Sequence, residues 1–249
     1  MTELYFISDV HLAARLSEAE KKKQRRLLSF LEHIEGRAHT LYILGDLFDF
    51  WFEWYHVIPR YWFPVIHRLR RLIESGTPVF LIPGNHDFAA GSYLKNEVGI
   101  SCVEESYRFT AGEKRFFLAH GDGLARSDRG YRILKRIVRS SLAGFLFRTF
   151  IPADLGMQLA KWISRSSREF RQIDRSAWNE EYFAFAREKF AEGYDHVLLG
   201  HLHLPVEREV NGKKYINCGD WLSHFSYARF DGRVLGLHSW SRDNETPPD

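Results

Sequence analysis

A chain of 249 residues with 45% hydrophobic content can bury a sizeable core, which excludes a small scaffold dependent on disulfides. Its only cysteines, Cys102 and Cys218, stand alone in apolar contexts without metal-type spacing, so both read as reduced core thiols. The formal net charge is only +3, and any charged surface must therefore be local.

Apolar runs alternate with helical periodicities, the mark of strands joined by crossover helices. Leu4 to Ile7 reads as the first strand. It begins within four residues of Met1, leaving no space for a secretory leader, so a cytoplasmic chain is expected. Leu27, Leu28, Leu31 and Ile34 recur at helical spacing after the charged stretch Glu18 to Arg26 and predict an amphipathic crossover. A strand at Leu41 to Leu44 leads to Asp46. Trp62, Val65, Ile66, Leu69, Leu72 and Ile73 predict a second helix, ended by Glu74-Ser75-Gly76, and Val79 to Ile82 leads to Asn85. Strands at Phe116 to Ala119 and His196 to Leu199 stop just before His120 and His201. The C-terminal part reads as hairpins: Val206 to Val210 and Lys213 to Asn217 around Asn211-Gly212, then Tyr227 to Phe230 and Val234 to Leu237 around Asp231-Gly232. Arg242 to Asp249 reads as a solvated tail.

Between His120 and His201 the composition shifts. Residues 126–175 hold twelve Lys and Arg against four Asp and Glu, so the rest of the chain is net acidic. Leu134, Ile137, Val138, Leu142, Phe145 and Leu146 repeat at helical spacing, with Arg132, Lys135, Arg136 and Arg139 on the other side. Arg148, Pro152, Asp154 and Lys161 interrupt the apolar run and rule against a transmembrane helix. A packed helical lid, an interfacial helix on an anionic membrane and a nucleic-acid patch are the readings. The aromatics sit with the aliphatic stripe instead of interleaving with the basic residues, so no nucleic-acid partner is expected. The chain reads as one domain over 1–249, with a helical insertion or lid at 126–192.

Five clusters carry chemistry: Asp9-Val10-His11, Gly45-Asp46-Leu47-Phe48-Asp49, Gly84-Asn85-His86-Asp87, His120-Gly121-Asp122 and Gly200-His201-Leu202-His203. Each follows a short apolar run, so His, Asp and Asn collect at the carboxyl ends of strands, where open α/β sheets place their sites. Carboxylate, imidazole and amide donors together suit two divalent ions, and the many imidazoles favour Mn²⁺, Fe²⁺ or Zn²⁺ over Ca²⁺. Two cations held close need a shared anionic ligand, and Asp46, behind Gly45, fits that role. Asp49, Asp87 and Asp122 read either as groups that orient the ligands or as loop caps.

In order and spacing the clusters resemble the calcineurin-like metallophosphoesterase superfamily, with its D-x-H, G-D-x-x-D, G-N-H-[DE], H-G-D and G-H-x-H signature. The resemblance implies an α/β fold, a four-layer α/β/β/α sandwich of two mixed sheets. It implies that Asp9, His11 and His203 complete one ion's shell, that Asn85, His120 and His201 complete the other, and that Asp46 bridges. It further implies attack on phosphorus by a metal-bridging hydroxide, with His86 steadying charge or protonating the departing oxygen.

Beyond these clusters the chain is similar to the UDP-2,3-diacylglucosamine pyrophosphatases of lipid A synthesis. Tyr42-Ile43-Leu44-Gly45-Asp46-Leu47-Phe48 with Trp51, Asp87-Phe88, Ser127-Asp128, Gly130-Tyr131, Ser166-Ser167-Arg168-Glu169 and Gly219-Asp220-Trp221 carry the likeness. It implies hydrolysis of UDP-2,3-diacylglucosamine to UMP and 2,3-diacylglucosamine 1-phosphate, with Mn²⁺ the activating ion. The implied enzyme is cytoplasmic and peripherally attached to the inner membrane. Asn85, His86, His201, Asp128, Ser167, Arg168 and Arg171 are the implied substrate contacts. Trp51, Trp54, Tyr55, Tyr61 and Trp62 read as an acyl pocket or as simple core. His86 stands where the well-known branch of that family carries Arg, and Trp51-Phe52-Glu53-Trp54-Tyr55 replaces its usual Trp-Ile-Gly-Asp-Asp. Another phospholipid or nucleotide phosphodiester is therefore the alternative substrate. A non-catalytic membrane-associated binding protein is the alternative of another class, disfavoured because every ligand position is filled.

Overall fold

Side chains alternate across each strand, and here both faces of two sheets are apolar, which forces four layers. In the computed structural model, which describes residues 3–14, 17–54, 56–89, 91–124, 140–158 and 175–241, the first sheet has the order β11-β10-β1-β2-β3-β4. Its strands are β1 (Leu4–Ile7), β2 (Thr40–Ile43), β3 (Val79–Leu81), β4 (Ser101–Cys102), β10 (Ser226–Phe230) and β11 (Leu235–Ser239). The second sheet, β5-β6-β7-β9-β8, comprises β5 (Ser106–Ala111), β6 (Lys114–Ala119), β7 (His196–Leu199), β8 (Pro205–Val210) and β9 (Lys213–Cys218). The strands β1 to β4 are parallel, as are β6, β7 and β9, and the outer pairings β1/β10, β10/β11, β5/β6 and β8/β9 are antiparallel. Both sheets are thus mixed, as expected.

Leu4, Phe6, Tyr42 and Leu44 face Phe116, Leu118, Leu198 and Ile216 of the other sheet and form the inner core. The intervening Tyr5, Ile7, Leu41 and Ile43 meet α1 (Glu18–Ile34) and α2 (Phe63–Glu74) through Leu27, Phe30, Leu31, Val65 and Leu69. On the far side Phe117, Ala119, Val197 and Leu199 meet Tyr182, Ala186 and Phe190 of α4 (Arg175–Ala191). This helix falls inside the 126–192 span assigned to the insertion, yet it supplies the fourth layer of the sandwich. Ser17 caps α1 by accepting from Glu20 N, and Pro64 opens α2 where its missing N–H costs nothing.

The long strands lie within a residue or two of their expected bounds. The short β4, the half-exposed β5 and a π-helical turn at Tyr93–Val98 had no clear apolar period to reveal them. Cys218 is buried as expected, whereas Cys102 is only half-buried at the edge of the first sheet.

The insertion contributes α3 (Ser141–Phe150), capped by Ser140. The described helix therefore starts afresh at Ser141. Leu142, Phe145 and Leu146, for which a packed lid was one of three readings, are 65%, 53% and 44% exposed. The face that meets the body is instead that of Phe147 and Arg148. Phe147 packs on Phe52 and Trp54 with ring centroids 4.7 and 5.9 Å away, and Arg148 Nε donates to the Glu53 carbonyl at 2.9 Å. Rings that can interleave with Phe52 and Trp54 outweigh a longer aliphatic stripe with no facing partner. Trp51 and Trp62 are fully buried core, as the simpler reading had it, and Trp54 donates through Nε1 to Ile151 O at 2.9 Å.

Candidate metal centre

Parallel register brings the strand ends level. Ile7 pairs with Ile43 and Ile43 with Leu81, so the loops bearing Asp9, Asp46 and Asn85 leave the first sheet side by side. The second sheet delivers His120 directly after β6 and His201 just after β7. Asp9, His11, Asp46, His201 and His203 all lie in the left-handed region, with φ of 52°, 49°, 53°, 71° and 54°. Five such residues in one site mark strain imposed by the surrounding fold for a purpose. Gly45 (φ 81°) turns the chain into Asp46 at a point where a Cβ would sit 2.5 Å from His120 Nδ1.

Asp9 and Asp46 are used alike. Asp9 Oδ2 accepts from His201 N at 2.8 Å, and Asp46 Oδ1 accepts from His86 N at 2.9 Å. Their second oxygens, Asp9 Oδ1 and Asp46 Oδ2, are buried with no hydrogen-bond partner among the described residues. Around Asp9 Oδ1 stand His203 Nε2 at 3.4 Å and His11 Nε2 at 3.7 Å. Around Asp46 Oδ2 stand His120 Nε2 at 3.5 Å, His11 Nε2 at 3.6 Å and His86 Nε2 at 3.9 Å.

The histidine tautomers follow from acceptors that cannot donate. His120 Nδ1 lies 2.7 Å from Leu44 O and His86 Nδ1 2.7 Å from Asp49 O, so each Nδ1 carries the hydrogen and each Nε2 is turned to the site. His11 Nδ1 lies 3.3 Å from Asp49 Oδ1, which leaves its Nε2 inward as well. In the neutral ring His120 Nε2 then faces the Asn85 Oδ1 acceptor at 3.2 Å; it also lies 3.1 Å from His201 Nδ1, and His11 Nε2 lies 3.3 Å from His203 Nε2. Lone pairs aimed at one another across such gaps repel unless positive charge lies between them. Two donors bonded to one ion at about 2.0–2.2 Å stand roughly 3–3.6 Å apart, so the cradle fits divalent ions.

The surrounding carboxylates favour positive charge at this centre, whether as protons on the rings or as bound cations. Burial opposes charge on His120 and His11, but Asp46 beside the first and Asp49 and Asp9 beside the second hold them up to about 10 and about 9. Asp9 and Asp46 are depressed despite burial, chiefly by His203 and by His120. Burial lowers His86. Burial and the neighbouring Asp46 raise Asp87 to about 6 while it accepts from Leu47 N at 2.8 Å and Gly84 N at 2.7 Å, tying two ligand loops together.

Among the described residues three donor groups result: Asp9, His11 and His203; His11, Asp46 and His86; and Asp46, His120 and His201, with the donors of each within 4.8 Å of one another. Asp46 is common to two of them. The structure thus brings together Asp9, His11, Asp46, Asn85, His86, His120, His201 and His203, while Asp128, Ser167, Arg168, Arg171 and Tyr55 lie outside the described residues.

Other contributors carried fainter signals. Trp178 of α4 stacks on His201, with ring centroids 6.3 Å apart and 12° between planes. Tyr182 donates to Gly121 O at 2.6 Å. Glu53 accepts from Trp51 Nε1 and Gly91 N at 3.1 Å and from Tyr93 N at 3.0 Å. Asp220, after β9, stands 3.7 Å from His203 Nδ1, and Trp221 N donates to Asp9 O at 3.1 Å. Only Gly219-Asp220-Trp221 was legible beforehand, through resemblance. The others sit in apolar or charged surroundings that look ordinary in sequence.

The calcineurin-like phosphoesterase family pattern matches residues 3–205. A UDP-2,3-diacylglucosamine hydrolase of Porphyromonas gingivalis is 32% identical over 96% of this chain and 97% of its own. The protein of that name from Neisseria meningitidis serogroup B is 32% identical over 93% of this chain and 95% of its own. One from Haemophilus influenzae is 29% identical over 91% and 93%.

Proposed function

This chain belongs to the calcineurin-like phosphoesterase family, and on that premise we propose that it hydrolyses the pyrophosphate of UDP-2,3-diacylglucosamine, giving UMP and 2,3-diacylglucosamine 1-phosphate. The observation that carries the proposal is a shared carboxylate, Asp46, whose free oxygen lies among three imidazoles in a chain alignable end to end with hydrolases named for that substrate. Asp9, His11 and His203 would hold one divalent ion and Asn85, His120 and His201 the other, with Asp46 common to both and Mn²⁺ the proposed native metal. Bound ions of this kind supply an activated water and neutralise phosphoryl oxygens under in-line attack.

The chain's own groups do the rest. Asp49 locks the His86 ring, so that Nε2 meets the phosphoryl or leaving oxygen. Neutral Asn85 adds an oxygen donor without further negative charge. Aromatic Phe52 and Trp54, on the segment that follows Asp49, pack with Phe147 into an apolar wall suited to acyl chains.

The same reading makes the enzyme cytoplasmic and peripherally attached to an anionic inner-membrane surface. Supporting it are the exposed Leu142, Phe145, Leu146 and Phe150 of α3, set in the most basic part of the chain. Among the described residues no helix is long and apolar enough to cross a membrane.

Incubation with UDP-2,3-diacylglucosamine and Mn²⁺ in detergent should release UMP, and Asp46→Ala should abolish the release. His86, in place of the Arg of the well-known branch, favours one second reading: a different lipid or nucleotide phosphoester. That reading holds if no UMP appears while a simple phosphodiester is cleaved.

A further inference from the structure

Lys23 belongs to a stretch of α1 that looks solvated in sequence, yet it is only 7% exposed. Its Nζ lies 2.5 Å from the carbonyl oxygen of His11 and 2.8 Å from Glu20 Oε2. Glu20 accepts in turn from Ala13 N at 3.1 Å and from Gln24 Nε2 at 3.3 Å, while Trp62 Nε1 donates to Ala13 O at 3.3 Å. The loop that bears His11 is therefore gripped from behind by α1 and by Trp62, which immediately precedes α2. From the front, the N–H groups of Asp9, His11 and Leu12 donate to the carbonyls of Gly45, Asp46 and Leu47. The His11 carbonyl, turned toward α1 by a φ of 49°, is taken by the Lys23 ammonium.

We infer that Lys23 is a positioning residue for the ion held by Asp9, His11 and His203: it fixes the strained His11 peptide and so aims Nε2 at both carboxylates. A left-handed imidazole residue relaxes toward ordinary backbone angles unless its neighbours hold it. Relaxation here would rotate the peptide, swing the ring and leave a buried carbonyl without a partner. Glu20 balances the ammonium, so the grip adds no net charge that would repel metal. The inference rests on the two-ion reading above.

The test uses the full chain stripped of metal and titrated with Mn²⁺ by calorimetry, with the part of the intrinsic fluorescence change that Trp178→Phe removes as a second readout, because Trp178 stacks on His201 of the other ion whereas Trp221 adjoins Asp9. The variants are Lys23→Met and Lys23→Met/Glu20→Gln, the second leaving no lone buried carboxylate. In both, one Mn²⁺ affinity should fall about 10–100-fold, as when partners of metal ligands are removed. The step reported by Trp178 should stay in place. The double variant should recover most of the thermal midpoint lost by the single one without recovering affinity. Unchanged affinities, an equal fall at both ions, or an affinity restored in the double variant would reduce Lys23 to a structural ion pair and overturn the inference. A wild-type chain that takes up no Mn²⁺ overturns the two-ion reading and the inference with it.

Discussion

Gly84→Ala isolates the tolerance of the metal cradle to displacement. Gly84 lies outside the left-handed region, so alanine meets no backbone penalty there, and the effect must come from contact alone. A Cβ on Gly84 would stand 2.7 Å from Asp46 N and 2.8 Å from Asp46 Cγ, and closer still to Oδ1. Ordinary contact begins at 3.4 Å, so the Asp46 backbone must part from Gly84 by about 0.7 Å and its Oδ1 by more than about 1 Å. Asp46 cannot give way freely, because its Oδ1 holds His86 N and its backbone carbonyl holds His11 N. Nor can Gly84, whose N–H is bound to the buried Asp87 carboxylate at 2.7 Å. A misplacement near 1 Å costs on the order of 100-fold in rate, so kcat/KM for UMP release should fall about 30- to 100-fold. Overpacking should also lower stability by roughly 1–3 kcal/mol. Steady-state kinetics with saturating Mn²⁺ and thermal melts of the metal-free protein would measure both. A variant with kcat/KM within threefold of wild type and an unchanged melt would show that the cradle yields, contrary to the rigidity argued here.

Three further outcomes are expected. His196 is buried between Phe116 and Phe230, and burial pushes its pKa down to about 4 from 6.5, so between those values the unfolded chain takes up a proton that the folded chain refuses. Stability is lost as pH falls through that window, and His196→Phe should remove up to one proton from the slope; identical denaturant midpoints against pH in both proteins would refute this. Phe147→Ala should free α3 from Phe52 and Trp54, raising proteolytic cleavage within 140–158 about tenfold or more while sparing hydrolysis of a small phosphodiester. Chelation should lower the thermal midpoint and Mn²⁺ should restore it, because donors fixed by the fold bind metal far better folded than unfolded. A midpoint indifferent to metal would count against the cradle.

The sandwich was legible because its strands are short apolar runs that end in chemistry-bearing clusters, and because α1 and α2 show an unbroken helical period. The failures have physical causes. Glu20, Lys23 and Gln24 lie in the charged stretch Glu18 to Arg26, where nothing in the sequence sets them apart from their neighbours. Yet Lys23, Leu27, Phe30 and Ile34 fall at i, i+4, i+7 and i+11, so the stripe that buries Leu27 also buries the ammonium. Periodicity likewise left open what the apolar stripe of α3 meets, since it identifies an apolar face without saying what faces it. Trp178 and Tyr182 reach the site only through the packing of α4 on the second sheet. No local pattern encodes that arrangement.

The five left-handed residues have a bearing on how this fold tolerates change. Each non-glycine residue held there costs about 1 kcal/mol, so together they represent roughly 5 kcal/mol, comparable with the whole net stability of many domains. A lineage released from catalysis would gain heat resistance simply by letting glycine replace Asp9, His11, Asp46, His201 or His203 one at a time. The residues proposed as ligands are thus the least stable tenants of their own positions.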